Sequence, residues 1–347
     1  FLNGRVCYVF LLLFAFCAFT ASCRRSAEPL YFSGRTMGTV YHITAIPETT
    51  LDDGQLTREI QETLESMNAG MSMFDRNSEL SRFNSLSKNE TMCVSAPFMD
   101  VFRVSSDLYR ITGGAWDGTV GPLVNLWGFG SSGKGRGIPD TAAIEKARSN
   151  VGFHQIRVSD GHCLSKMENG LVLDFGSIAK GYAVDEIANL LKRRGVQHYL
   201  VEIGGEVRAG GTNRGRPWKV GISLPVPGVA ADRILGSLEL RDRAVATSGD
   251  YRNFRVIGGK TYSHEIDPRT GWPVRNKVAS VTVISDTAVF ADGLATGLMV
   301  MGEEKGIDLV NSLPGVSCLF VIREKGRQKT DSEFRTVTSR GFPPLAR

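Results

Sequence analysis

The sequence has little of what would place it in the simplest functional classes. It holds six cysteines in 347 residues, and none are spaced as zinc ligands, which excludes the common structural zinc modules. No heptad run is present, so a coiled coil is excluded. The charge, 41 − 36 = +5, is too thinly spread to argue for nucleic acid. There is no internal repeat and no low-complexity linker after Glu28. Only one stretch is strongly apolar, which excludes a multi-span membrane protein. A Gly-x-x-x-x-Gly-Lys-Ser/Thr phosphate loop is also missing.

What remains is the composition of a folded chain: 42% hydrophobic, 22% charged and 9% aromatic. That is enough to build one large domain or two ordinary ones. Thirty-nine glycines against 13 prolines favour tight turns and backbone-mediated contacts over a plain helical bundle.

The apolar stretch lies at the amino end. Arg5, then Val6 to Phe19, then Thr20-Ala21-Ser22 follow the layout of a secretory signal peptide, expected over residues 1–22. The run is shorter than the roughly 20 residues that span a bilayer, although a short uncleaved anchor stays open. Cys23 follows small residues and resembles a bacterial lipoprotein cleavage site, with Thr20 where Leu is usual. Acylation of Cys23 would give a stable membrane anchor, and residues 24–35 would be a tether. Cys93, Cys163 and Cys318 then remain, and three cysteines cannot all pair within the chain.

Beyond residue 35 we read one continuous domain. Thr39–Ile46 alternates like a strand, and Asp52–Asn68 places Leu56, Ile60, Leu64 and Met67 at helical spacing. Further helices are expected over Pro97–Thr112, Thr141–Val151, Ala179–Arg194 and Ala291–Met301. Strands are expected over Leu171–Asp174, His198–Ile203, Trp218–Leu224 and Val278–Ile284, with hairpin-like pairs near Val207 and Arg255. Residues after Asp331 fit either a closing strand or a disordered end. The irregular interleaving favours an α+β fold over a doubly wound sheet.

Seven glycine- and carboxylate-rich blocks carry the chemistry. They are Gly34–Thr39, Met73–Asn84, Gly114–Gly130, Asp174–Asp185, Glu202–Glu206, Ala246–Tyr251 continuing to Tyr262–Gly271, and Ala291–Thr296. Asp292 and Thr296 are four apart on an expected helix, so both oxygens leave one face. They suit a hard cation shared with phosphate oxygens, or a buried hydrogen-bonded pair. Asp174 and Lys180 flank a turn into a helix whose first N–H groups can meet an anion, or an ordinary strand-turn-helix. Phe74 and Trp116 are able to stack on a flat ring, or simply to fill the core. His264 precedes a turn at Asp267–Gly271 and has the right ordinary pKa for proton transfer, although a lone histidine is more often structural.

Taken in order, the blocks resemble the ApbE family of FAD:protein FMN transferases from about Thr36 to Gly302. The resemblance implies a single large, T-fold-related domain over 36–347, with mixed or antiparallel sheets and flanking helices. It implies Mg²⁺ held by Asp292, Thr296 and the backbone carbonyl of Ser177. It places FAD against Met37, Phe74, Ala115, Trp116, Asp117, Asp174, Lys180, His264 and Ile266, with His264 and Asp292 in the catalytic step. The implied reaction moves FMN from FAD to a Thr or Ser hydroxyl of an exported or membrane flavoprotein, such as a subunit of a sodium-pumping or electron-transport complex, and releases AMP. A Mg²⁺-dependent FAD pyrophosphatase and a non-catalytic FAD-binding lipoprotein are the alternatives. The expected location is the periplasmic side of the inner membrane, lipid-anchored.

Overall fold

The computed structural model describes residues 28–130, 137–226, 233–250, 254–257, 260–324 and 334–346. The expected signal peptide and Cys23 lie outside the described residues, as does Tyr251.

The chain begins with β1 (Leu30–Thr36), β2 (Thr39–Ile46), α1 (Asp53–Met71), α2 (Glu79–Ser85), β3 (Thr91–Cys93) and α3 (Ala96–Ile111). It continues through α4 (Gly121–Leu126), α5 (Thr141–Arg148), β4 (Ile156–Ser159), β5 (Cys163–Lys166) and α6 (Ala179–Arg193). Strands β6 (His198–Ile203), β7 (Glu206–Gly210), β8 (Trp218–Ser223), β9 (Ile234–Leu240) and β10 (Ala244–Gly249) follow. Two short pairs come next, β11 (Phe254–Ile257) with β12 (Lys260–Ser263), and β13 (Ile266–Asp267) with β14 (Trp272–Pro273). The chain closes with β15 (Val278–Ser285), α7 (Ala288–Met301), α8 (Glu303–Ser312), β16 (Ser317–Arg323) and β17 (Phe334–Thr338).

Eight strands form one sheet in the order β1-β2-β6-β7-β10-β15-β16-β17, with every neighbouring pair antiparallel. Strand alternation explains its two faces. Tyr41, Ile43 and Ala45 of β2, Tyr199, Val201 and Ile203 of β6, and Cys318, Phe320 and Ile322 of β16 enter a core shared with α1, α3, α6 and α7. Between them, Ile46, Leu200, Val245, Ile284 and Leu319 face a second core with Trp218, Leu238 and Leu240 of the β8–β9 ribbon. Helices therefore cover one face and a ribbon covers the other. Among the described residues no helix is long and apolar enough to cross a membrane.

Side-chain caps account for the starts of α1, α2, α3 and α5. Asp52, Ser78, Ser95 and Asp140 each accept an N-terminal amide through the side chain, as N-cap residues do. Helix α7 lacks such a cap and is buried nearly all round. Its stability comes from packing, with Leu294 and Leu298 fully buried and each contributing about 2–3 kcal/mol.

Three expectations meet a different outcome. Strand β1 starts at Leu30, inside the stretch read as a tether, and pairs with β2 along its whole length. Leu171–Asp174 is not a strand. The Asn84 side chain takes the place of a strand partner, donating to the Leu173 carbonyl and accepting the Leu173 N–H, both at 2.8 Å. Helix α2 occupies part of the Met73–Asn84 block, over which no helix is expected from the sequence. The tail does form a strand, β17, against β16.

Cys93 and Cys163 are joined by a disulfide because β3 and β5 bring them directly opposite, while Cys318 is free and buried. The bond closes a loop 70 residues apart in sequence. Cross-links of that span stabilise by about 2–4 kcal/mol. A Cys93→Ser, Cys163→Ser double variant should therefore unfold at lower denaturant with an unchanged far-UV spectrum before unfolding. An unchanged midpoint would show that the bond adds nothing.

Candidate active site

One cleft gathers most of the residues that the sequence singles out. Its volume is about 570 Å³, and its walls include Ala115, Trp116, Asp117, Asp174, Ser177, Lys180, His264, Ile266, Asp292 and Thr296. These come from the loop after α3, the start of α6, the loop into β13, and α7. The β6–β7 turn (Gly204, Gly205) and the end of β10 (Thr247, Ser248) complete the walls.

The centre is built at the crossing of α6 and α7. Gly181 sits where a Cβ would lie 2.4 Å from the Ala288 carbonyl oxygen and 2.8 Å from the Asp292 Cβ, so only glycine lets the helices approach this closely. The Gly181 N–H, which a regular helix would direct to the Ser177 carbonyl, donates instead to Asp292 Oδ2 at 3.0 Å. Among the described residues no hydrogen bond ends on the Ser177 carbonyl oxygen. Thr296 follows Asp292 by one turn, and its hydroxyl lies 3.0 Å from that of Ser248.

Lys180 lies between two buried carboxylates. Its Nζ is 3.4 Å from Glu206 Oε1 and 3.8 Å from Asp292 Oδ2. The other oxygen of Glu206 is buried with no hydrogen-bond partner among the described residues. Burial pushes the Glu206 carboxyl up to about 8; the Asp292 charge adds to this and Lys180 opposes it. Burial also raises Asp292, against Lys180 and the Gly181 N–H. Two carboxyl groups share one ammonium here, and their mutual repulsion helps to keep a proton on the pair. Asp292, Thr296 and the freed Ser177 carbonyl are hard oxygen donors, and that donor set fits a divalent cation of the Mg²⁺ type.

Around this centre the other side chains take specific places. Asp174 Oδ1 accepts the Gly176 N–H at 2.7 Å, and burial raises its carboxyl. Trp116 is nearly fully buried and donates from Nε1 to Ser177 Oγ at 3.1 Å. Its ring belongs to the core, the second of the two readings given above, and its N–H supports the Ser177 turn. Asp117 spends its carboxylate within the loop, accepting from the Thr119 N–H and hydroxyl and from the Phe153 N–H. Ala115 and Ile266 contribute wall.

His264 enters the cleft on a loop pinned by a third small core, where Trp127 packs with Tyr262 and Ile266 and donates to the Gly271 carbonyl at 2.8 Å. Its Nε2 lies 3.2 Å from Glu265 Oε1. Burial raises Glu265, and His264 opposes the rise.

Met37 and Phe74 do not line the cleft. Met37 occupies the β1–β2 turn with φ of 49°. That turn lies beside Gly204, whose N–H donates to the Val40 carbonyl. Phe74 is 89% exposed on the loop after α1. Asn68 near the end of α1 bonds Thr36, which brings that loop to the same end of the sheet. Both residues therefore sit toward the rim. Glu206, Ser248 and Glu265 are the centre's additional groups. Sequence reading places Glu206 with Gly204 and Gly205 in a tight turn against the ligand or in a plain hairpin turn, and attaches no chemistry to Ser248 or Glu265.

Comparison with known proteins identifies the family. The model of the ApbE family matches residues 37–320, most of the chain and nearly all of the cleft. The chain belongs to the ApbE family. It is 42% identical over 329 residues to an FAD:protein FMN transferase of Vibrio cholerae, covering 94% of this chain and 95% of that one. A second relative of the same name, from Haemophilus influenzae, is 38% identical over 339 residues and covers 94% of both chains. Among solved structures, the flavin transferase ApbE from Vibrio cholerae superposes with a TM-score of 0.80 at 41% identity, covering 92% of this chain and 99% of that one. The flavinyl transferase ApbE of Pseudomonas stutzeri gives 0.80 at 36% identity, with 91% and 96% covered. The α+β, antiparallel-sheet architecture is that of these ApbE structures.

Proposed function

We propose that the chain moves FMN from FAD to a threonine or serine hydroxyl of an acceptor flavoprotein and releases AMP. The observation that carries this is the α6–α7 crossing, where Ser177, Lys180, Glu206, Asp292 and Thr296 converge in one cleft. It occurs in a chain 42% identical to a protein named for that reaction.

The residues divide the work as follows. Lys180, at the start of α6, faces the diphosphate as positive charge. Asp174 and the loop at Ala115–Asp117 hold the nucleotide portions, with Met37 and Phe74 at the rim. The attacking hydroxyl oxygen forms a bond to the FMN-side phosphorus while the anhydride bond to AMP breaks. His264 takes the hydroxyl proton at a ring nitrogen. Ser177, Asp292 and Thr296 would hold Mg²⁺, which neutralises charge on phosphate oxygens when bound. Positioning and charge neutralisation suffice for this class of transfer.

Ser248 is part of that reading. A hydroxyl that offers its lone pair to a cation must give its proton elsewhere, and Ser248 Oγ is the acceptor within reach of Thr296. Partners of this kind set ligand orientation, and their loss costs about 10–100-fold in metal affinity. Ser248→Ala should lower affinity by that order, read by Mn²⁺ electron paramagnetic resonance. Its melting temperature in chelator should stay that of the parent. Equal affinity in the two proteins would remove Ser248 from the site.

The acceptors we propose are exported or membrane flavoproteins, subunits of sodium-pumping or electron-transport complexes among them. The amino-terminal pattern supports acylation at Cys23 and a place on the periplasmic side of the inner membrane. Incubation of the protein with FAD, Mg²⁺ and an acceptor peptide tests the activity. Flavin fluorescence that stays on the peptide after denaturation, with AMP released, is the expected result. AMP without labelled peptide would make the protein a pyrophosphatase, and bound FAD with no AMP would make it a flavin carrier.

A further inference from the structure

A second, wider groove of about 1050 Å³ lies at the far end of the same strands. Strand β6 enters from it near Leu200 and ends at Gly204 in the cleft, and β7 runs back from Glu206. The groove is bounded by Pro29 and Tyr31 at the start of the described chain, and by the turn before β8. It is basic: Arg214, Arg216 and Lys219 line it against the single carboxylate of Glu239. All three cations are exposed, and among the described residues none has an ion-pair partner.

The turn that carries two of them is rigid. Asn213 and Arg216 exchange both backbone hydrogen bonds, at 2.7 and 3.1 Å, and Thr212 Oγ1 accepts the Gly215 N–H. Arg214 and Gly215 both have positive φ, 52° and 86°, as a type I′ turn requires. Asn or Gly normally fills the first of these positions. Here it is an exposed arginine, and Tyr31, which lines the same groove, is 74% exposed.

Charge, an exposed aromatic and chain entry coincide at this face. Cys23 and Pro29 are six residues apart, so a chain held at Cys23 places Pro29 within about 20 Å of its anchor. We propose that this groove seats the headgroups of anionic phospholipids; the inference rests on the Cys23 anchoring proposed above. Clustered basic residues near a bilayer recognise anionic lipid, and tyrosine favours the headgroup level. Docked in this way, the groove leaves the cleft farther along β6 and β8, where Leu200 and Gly204, and Lys219 and Ser223, are each four residues, about 13 Å, apart. The consequence is a reaction centre presented to the exported parts of membrane proteins instead of to the bilayer.

The test uses the full chain, acylated in a bacterial host, with vesicles of phosphatidylcholine alone or mixed with phosphatidylglycerol. Tyr31→Trp reports docking through quenching by headgroup-brominated lipid, with the parent's emission as background. The expected result is flotation with both vesicles but quenching only in the anionic ones, and loss of quenching at high salt. Arg214→Glu, Arg216→Glu and Lys219→Glu together should lower the docked-to-free ratio at least about a hundredfold, with flotation and transfer to a soluble peptide unchanged. Equal quenching in both vesicle types, none in anionic vesicles, or quenching that survives charge reversal would overturn docking and leave the anchor standing. Flotation with anionic vesicles alone would overturn the anchor and keep the docking surface. Flotation with neither would overturn both.

Discussion

Asp292→Ala is expected to lose FMN transfer and FAD hydrolysis together, by about a thousandfold or more. The reason is charge placed at the reacting phosphates, which in enzymes of this kind is worth several kcal/mol. Asp292 is the carboxylate among the three proposed cation ligands. It is also one of the two carboxyl groups that lie beside Lys180. Asp292→Asn separates the two roles. The amide oxygen can still accept the Gly181 N–H, so the helix crossing is kept. Burial already disfavours the ionised carboxylate, so a neutral isostere should leave the cation-free protein at least as stable as the parent. Activity and stability then move in different directions: turnover collapses and the melting temperature in chelator holds or rises. Measured turnover within tenfold of the parent in Asp292→Asn would remove the cation assignment, whatever the stability.

That test depends on a pair that the sequence reveals directly. Asp292 and Thr296 are one helical turn apart, and the periodicity of an amphipathic or buried helix is legible from residue types alone. The same holds for β2, where Tyr41, Ile43 and Ala45 alternate with polar neighbours. Less legible is whatever depends on strands meeting across long separations. Ser248 acquires its role only because the end of β10 lies over α7, 48 residues on. Cys93 finds Cys163 only through the register of β3 and β5. Glu206 reads as the end of a turn, and nothing local announces that its side chain is buried beside Lys180, which also faces Asp292. Leu171–Asp174 misleads for a related reason. Its apolar alternation is real, but a single side chain, Asn84, satisfies backbone groups that a strand partner would otherwise take. Trp116 shows the converse. An aromatic in a polar block suggests a stacking surface, but the packing of α7 claims the ring for the core and leaves its N–H to brace Ser177.

Glu206 supports the other large prediction, which concerns pH. Its carboxyl is raised from 4.5 to about 8 in the folded chain, first by burial and then by the nearby Asp292 charge. A folded-state pKa above the unfolded one means that the native protein binds the extra proton. Stability is therefore highest at acidic pH and falls as pH rises through the window from about 4.5 to 8, then levels off. At 1.36 kcal/mol per unit this single group is worth on the order of 4–5 kcal/mol as an upper bound, and Lys180 shares in it. Asp292 is raised as well and acts in the same sense. In chelator, the parent should melt markedly lower at pH 8 than at pH 5.5. Glu206→Gln should flatten that slope and melt higher at pH 8, because the amide carries no charge to desolvate and still offers Lys180 an oxygen. Mg²⁺ should flatten it in the parent too, since a cation beside Asp292 removes the repulsion that keeps Glu206 protonated. Identical slopes in the parent and Glu206→Gln would show that the carboxyl is ionised and paired throughout, with Lys180 fully committed to it. The ammonium would then be engaged before any substrate arrives, and the proposed contact of Lys180 with the diphosphate would have to give way.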